Sequence, residues 1–274
     1  MLKKMFILIT LFTFIILTNI DAEDKTTQSF LEQHKNQSNQ INYTKNSFIT
    51  EINSHIYFFP KDLNIVTLGD SLTQGVGDES HNSGYVGMIE DNLDGQVKID
   101  NFGISGYRSD QLYKLIDEPD VEASLTNADV VLMTIGANDI MKVFRNNFTH
   151  LKIEPFVDEL DAFEGRLKKI FTKINQINPQ TKIYLIGFYD PFSEYFPEVK
   201  ELTDITSTWN ERSAEITKEF DYTYYIPTKQ LFEKDVGNYL AEDKFHPNNK
   251  GYTKIATEIV EHIKSGVGDA YETE

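Results

Sequence analysis

Strand and helix patterns alternate along this chain, which predicts an α/β fold built on a parallel sheet with helices on both faces. Three observations carry that expectation. Five short apolar runs recur, turn residues follow most of them, and helical spacings fill the intervals between them. The first run, Ile65-Val66-Thr67-Leu68, stops at Gly69-Asp70-Ser71-Leu72-Thr73, a strand running into a tight loop. Ser83 to Ile89 with Leu93 suits a helix ending near Asp94-Gly95. Val97 to Phe102 reads as the second strand, ended by Gly103-Ile104-Ser105-Gly106, and a helix follows with Leu112, Leu115 and Ile116 on one face.

Asp129 to Ile135 is almost continuously apolar, as expected of a strand covered on both faces. It breaks at Gly136-Ala137-Asn138-Asp139. Phe163, Leu167, Ile170, Phe171, Ile174 and Ile177 fall at helical spacing until Asn178-Pro179. Lys182 to Phe188 forms the fourth strand. Tyr189 to Thr206, with Phe192, Tyr195 and Phe196, reads as a long loop that either walls a pocket or packs onto the domain. Trp209, Ser213, Ile216 and Phe220 suit a helix, Tyr222 to Ile226 a fifth strand, and Tyr252, Ile255, Ala256, Ile259 and Ile263 the closing helix.

A chain of 274 residues holds one such domain, placed at 61–267, with a short tail at 268–274. Before it, Lys3 and Lys4 precede a stretch from Met5 to Leu17 that is apolar except for Thr10 and Thr13, and Asp21, Glu23 and Asp24 follow. That asymmetry marks residues 1–22 as an export signal with its amino end inside. Two fates stay open. Ala22 suits a cleavage site but Ile20 does not, while sixteen residues make about 24 Å of helix against a hydrocarbon core of about 30 Å. Residues 23–60 turn to Gln, Asn, Ser, Thr and Lys and read as a polar spacer in which His34 and His55 are solvated.

The formal charge is −17, and residues 1–60 hold five lysines and five acids, so the acidic excess lies entirely on the later part. Such a surface repels nucleic acid and anionic headgroups, which counts against a nucleic-acid partner. With no cysteine, disulfides, thiolate metal sites and cysteine nucleophiles are excluded. No His, Asp and Glu grouping has the spacing of a dedicated metal site, so neither metal nor cofactor is expected.

In a parallel sheet the loops after the strands share one edge, where ligands collect. Ser71 follows the first strand, Gly106 the second, Asn138 the third, and Asp243 and His246 the fifth. A serine hydroxyl needs a base, and histidine titrates near neutrality. Asp243, three residues before His246, can fix the imidazole tautomer and stabilise the imidazolium. The Ser71 and Gly106 amides and the Asn138 carboxamide can supply three donors to an oxyanion. Asp70 and Asp139 read as turn holders, His81 and His150 as loop residues, and His262 as solvent-facing. The signature Gly-x-Ser-x-Gly is absent.

The stretches Gly-Asp-Ser-Leu-Thr-Gln-Gly, Asn-Phe-Gly-Ile-Ser-Gly, Gly-Ala-Asn-Asp and Asp-Lys-Phe-His-Pro-Asn, spread over Asn64 to Lys264, make the chain resemble an SGNH hydrolase of the GDSL lipase/esterase family. The resemblance implies a flavodoxin-like αβα sandwich with a five-stranded parallel sheet, a Ser71-His246-Asp243 triad, and an oxyanion hole from Ser71, Gly106 and Asn138, with Gly103 competing for Gly106's place. The layout with an amino-terminal membrane signal is similar to that of lipase/acylhydrolase-like proteins of low-GC Gram-positive bacteria. The activity expected is hydrolysis of oxygen esters outside the cytoplasmic membrane, with small acyl or lysolipid-like substrates in an open, shallow cleft. Acetyl groups on envelope polysaccharide, acyl transfer, and a non-catalytic envelope-binding protein are the rival readings. Membrane attachment rests on the first segment staying uncleaved, and no oligomeric state is implied.

Overall fold

The computed structural model describes residues 63–271, except 81, 94–96, 148–151 and 192–199. The export segment and spacer, His81, His150 and the rings of Phe192, Tyr195 and Phe196 lie outside the described residues. Strands β1 (Leu63–Gly69), β2 (Val97–Gly103), β3 (Val130–Thr134), β4 (Lys182–Ile186) and β5 (Thr223–Ile226) form one sheet in the order β2-β1-β3-β4-β5. All four pairings are parallel. Each strand lies on one of the five apolar runs, although β3 and β4 stop at Thr134 and Ile186, short of the expected Ile135 and Phe188.

The helices are α1 (Ser71–Gln74), α2 (Gly84–Asn92), α3 (Ser109–Leu115), α4 (Pro119–Thr126), α5 (Ala137–Asn147), α6 (Glu154–Ile177), α7 (Lys200–Thr217), α8 (Lys229–Phe232) and α9 (Asn249–Tyr271). Side chains alternate across the sheet, so its two faces seed two cores. Val66, Leu68, Val131 and Met133 pack with residues of α3 to α7, while Ile65, Val130 and Leu132 pack with α2 and α9. The result is three layers. Along α6, Phe163, Leu167, Ile170, Phe171 and Ile174 are fully buried, each contributing about 2 kcal/mol of transfer free energy.

Three expectations are corrected. Lys200 to Thr206 is the start of α7 rather than loop, because Leu202, Ile205 and Trp209 bury one helical stripe. The spacings give no sign of α4, α8 or the body of α5, whose Gly-Ala-Asn-Asp start, a good turn and helix cap, opens a helix that buries Ile140, Val143 and Phe144; and Ser71–Gln74, expected as a tight loop, is the helical turn α1. His262 is half-buried rather than solvent-facing, and its Nδ1 lies 2.9 Å from the Glu258 carbonyl oxygen.

The order of the strands positions the site. The chain runs from β1 out to β2 and then back across to β3 and on to β4, so the connections leaving the paired strands β1 and β3 part in opposite directions, a switch point where a crevice opens beyond the strand tips. Register pairs Gly69 with both Gly103 and Thr134, which brings the three tips level.

Candidate active site

Ser71 is the first residue of α1, one residue past the Asp70 N-cap. Asp70 Oδ1 accepts the Leu72 amide at 3.0 Å and the Thr134 hydroxyl at 2.9 Å, which ties the helix start to the tip of β3. A first-turn N–H has no intrahelical partner, so the Ser71 amide points out of the helix end. Burial pushes the Asp70 carboxyl up to about 6, against the pull of the Leu72 and Thr134 bonds and of His246.

Unfolded, Asp70 titrates near 4, so its contribution to stability is present below about pH 4 and is lost as pH rises through about 6. Asparagine keeps an acceptor for both bonds without the charge. Asp70→Asn is therefore expected to gain stability relative to the parent on going from pH 4 to pH 8, by up to about 3 kcal/mol. Urea midpoints at the two pH values check this; an equal difference at both would contradict it.

His246 and Asp243 lie on the loop between a short 3-10 turn (Val236–Tyr239) and α9. A bridge between Leu240 and Pro247 and the Ala241 amide on the His246 carbonyl at 2.8 Å close that loop. Asp243 Oδ1 accepts the Phe245 and His246 amides at 2.9 Å each, and Oδ2 lies 2.6 Å from His246 Nδ1. Partial burial alone would raise the Asp243 carboxyl, but these bonds to His246 and Phe245 hold it below the usual carboxylate range. His246 Nε2 sits 2.9 Å from Ser71 Oγ. The three residues singled out from opposite ends of the domain thus form one hydrogen-bonded line.

The remaining pair is placed by contacts beside that line. The Ser105 amide donates to Gln74 Oε1 at 2.7 Å, and Asn138 Nδ2 donates to the Tyr107 carbonyl at 3.0 Å. The Gly103-to-Tyr107 loop is therefore tied to α1 on one side and to the start of α5 on the other. Space separates the two glycines. A Cβ on Gly103 would strike the backbone of Thr73 and Gln74 within 2.5 Å, whereas Gly106, at φ +82°, has nothing within 4 Å of that position. Only Gly106 faces room for a ligand, and its left-handed backbone is one that glycine adopts without strain.

Beside Ser71 and His246 the cleft deepens into a cavity of about 70 Å³ between the tips of β3 and β4. Its walls include Ile135, Ile140, Met141, Ile186 and Phe188. Tyr189 and Thr206, at the ends of the expected long loop, also line it, and the Tyr189 hydroxyl donates to the Phe245 carbonyl at 2.7 Å. Tyr189 and Thr134 were not singled out from the sequence. Their partners lie 56 and 64 residues away, and no local spacing signals such contacts. Among the described residues no three His, Asp or Glu side chains gather to hold a metal ion.

Residues 67–254 match the model of the GDSL-like lipase/acylhydrolase family. The chain is 35% identical over 207 residues to the uncharacterized protein YpmR of Bacillus subtilis, covering 73% of this chain and 81% of that one. It is 25% identical to the spore germination lipase LipC of Bacillus licheniformis, covering 72% and 94%. Among solved structures, the lipase Lip_vut3 from a goat rumen metagenome shares the fold with a TM-score of 0.63 at 23% identity, over 74% of this chain and 97% of that one. Since the family match runs from the strand before Ser71 to the helix after His246, the chain belongs to the GDSL-like lipase/acylhydrolase family and is an ester-hydrolysing enzyme with the SGNH fold.

Proposed function

We propose that the chain is an extracytoplasmic serine esterase that removes short acyl groups from oxygen esters. The observation that carries this reading is the Ser71-His246-Asp243 line opening onto a small apolar cavity. Ser71 Oγ bonds the acyl carbon while His246 Nε2 takes the hydroxyl proton, and the carbonyl electron pair moves onto oxygen. The Ser71 and Gly106 amides and Asn138 Nδ2 receive that oxyanion. As it collapses, the bond to the alcohol oxygen breaks and His246 gives the alcohol its proton. Water then adds to the acyl-enzyme, His246 taking a proton from it, and the acid departs as the proton returns to Ser71.

The cavity limits the acyl group. An enclosed apolar cavity of about 150 Å³ takes benzene, so a smaller pocket of about 70 Å³ favours short acyl groups. Kcat/KM on p-nitrophenyl esters is expected to peak between about two and four carbons and to fall by hexanoate, each excess methylene forfeiting about 1 kcal/mol of fit. A rate that climbs through octanoate would replace this reading with a lysolipid-like substrate. Acetyl esters of an envelope polysaccharide suit the same small apolar cavity on the acyl side. The Lys3-Lys4 and Met5-to-Leu17 segment supports a place outside the cytoplasmic membrane, held by that segment or released after its cleavage.

A further inference from the structure

Arg166 lies in the middle of α6, outside every motif that marks the site, yet three of its contacts converge beside the oxyanion donors. Its Nε donates to Ser109 Oγ at 2.6 Å and its Nη2 donates to Asp139 Oδ1 at 3.0 Å. Ser109 Oγ in turn donates to Asp139 Oδ1 at 2.6 Å, and the Ser109 amide donates to Asp139 Oδ2 at 3.0 Å. Arg166, Ser109 and Asp139 therefore close a hydrogen-bonded ring. Glu159, about two turns back along α6, pairs with Nη2 as well.

Each corner of the ring stands on an element with a job. Asp139 follows Asn138 at the start of α5, and Ser109 opens α3 three residues after Gly106. Asp139 is 1% and Ser109 0% exposed, so water cannot substitute for a lost bond. Arg166 supplies the corner that belongs to neither element. Its neighbours Phe163, Leu167 and Ile170 are fully buried, which makes α6 a rigid base. A guanidinium edge offers Nε and Nη2 in fixed geometry to two acceptors at once, which an ammonium cannot do.

We propose that Arg166 is a positioning residue for the oxyanion donors, holding Gly106 and Asn138 at their working separation through Ser109 and Asp139. The inference rests on the esterase reading above, in which those two donors receive the oxyanion. It follows from how steeply catalysis depends on placement: a shift of about 1 Å can cost about 100-fold. A donor pair carried on two separate elements needs a fixed distance between them, and the ring spans that gap.

Kinetics of the full chain on a short-chain ester test this, with Arg166→Met made in the parent and in an Asn138→Ala background. In the parent, kcat is expected to fall about 10- to 100-fold with KM within about twofold, because only the transition state uses the donors. In the Asn138→Ala background the same substitution should cost only a few-fold, since one member of the pair whose separation it fixes is already gone. Arg166→Lys should not restore the rate. Ser109→Ala, a milder break of the same ring, should repeat the pattern at a smaller loss, and stands in if Arg166→Met does not fold. Equal losses in both backgrounds, or an unchanged kcat in the folded variant, would overturn the proposal. If Asn138→Ala alone leaves kcat intact, the assignment of the donors fails instead.

Discussion

Alanine at Ser71 is expected to lower kcat/KM about 10⁴- to 10⁶-fold, alanine at His246 to do the same, and the double variant to lose no more. The reason is that in the proposed reaction the two side chains act in one step. With Ser71 Oγ 2.9 Å from His246 Nε2, the nucleophile has its base in place, and neither group retains that pathway without the other. Activity against p-nitrophenyl acetate measures this, with circular dichroism to show that each variant is folded. The Ser71 side chain caps nothing, because Asp70 fills that role for α1, so Ser71→Ala should keep the parent's melting temperature. Losses that multiply in the double variant would mean that the two residues act separately.

Asp243→Asn is expected to cost about 10⁴-fold in kcat while leaving the loop in place. The loop dictates how the new side chain sits. Oδ1 of Asp243 accepts two backbone amides, from Phe245 and His246, so the asparagine oxygen takes that position. Its NH2 group must then face His246 Nδ1, which becomes an acceptor. The imidazole proton is driven to Nε2, where it points at Ser71 and blocks proton abstraction. Steady-state kinetics read the loss, and NMR of the histidine ring nitrogens reads the tautomer. A slow variant with the parental tautomer would place Asp243's contribution in charge rather than in orientation.

Much of the fold could be read directly because burial on two faces leaves a plain record. Strands β1, β3 and β4 are nearly all apolar, and their lengths and turn residues separate them from helices. Helix α5 left no such record: its start doubles as the Gly-Ala-Asn-Asp turn, and its core residues Ile140, Val143 and Phe144 make a stripe too short to stand out. The first turns of α7 were hidden by the aromatic and proline residues just before them. The meeting of Ser71 with Asp243 and His246 could be expected because they lie in the connections that leave β1 and β5, and a parallel sheet places such connections on one edge. Gly106 is preferred to Gly103 on the resemblance, through Ser105-Gly106, and the structure adds a physical difference that no local spacing signals: the backbone of α1 is pressed against Gly103. Arg166 was illegible for a similar reason. Its partners Ser109 and Asp139 lie 57 and 27 residues away, and an arginine inside an amphipathic helix reads as a solvated face.

The most direct test of the account is intact-mass spectrometry of the full chain after exposure to a fluorophosphonate, followed by peptide mapping. A single adduct on Ser71 is expected, formed at a rate that drops sharply in His246→Ala and absent in Ser71→Ala. A folded parent that takes no label, or one labelled at another residue, would contradict it.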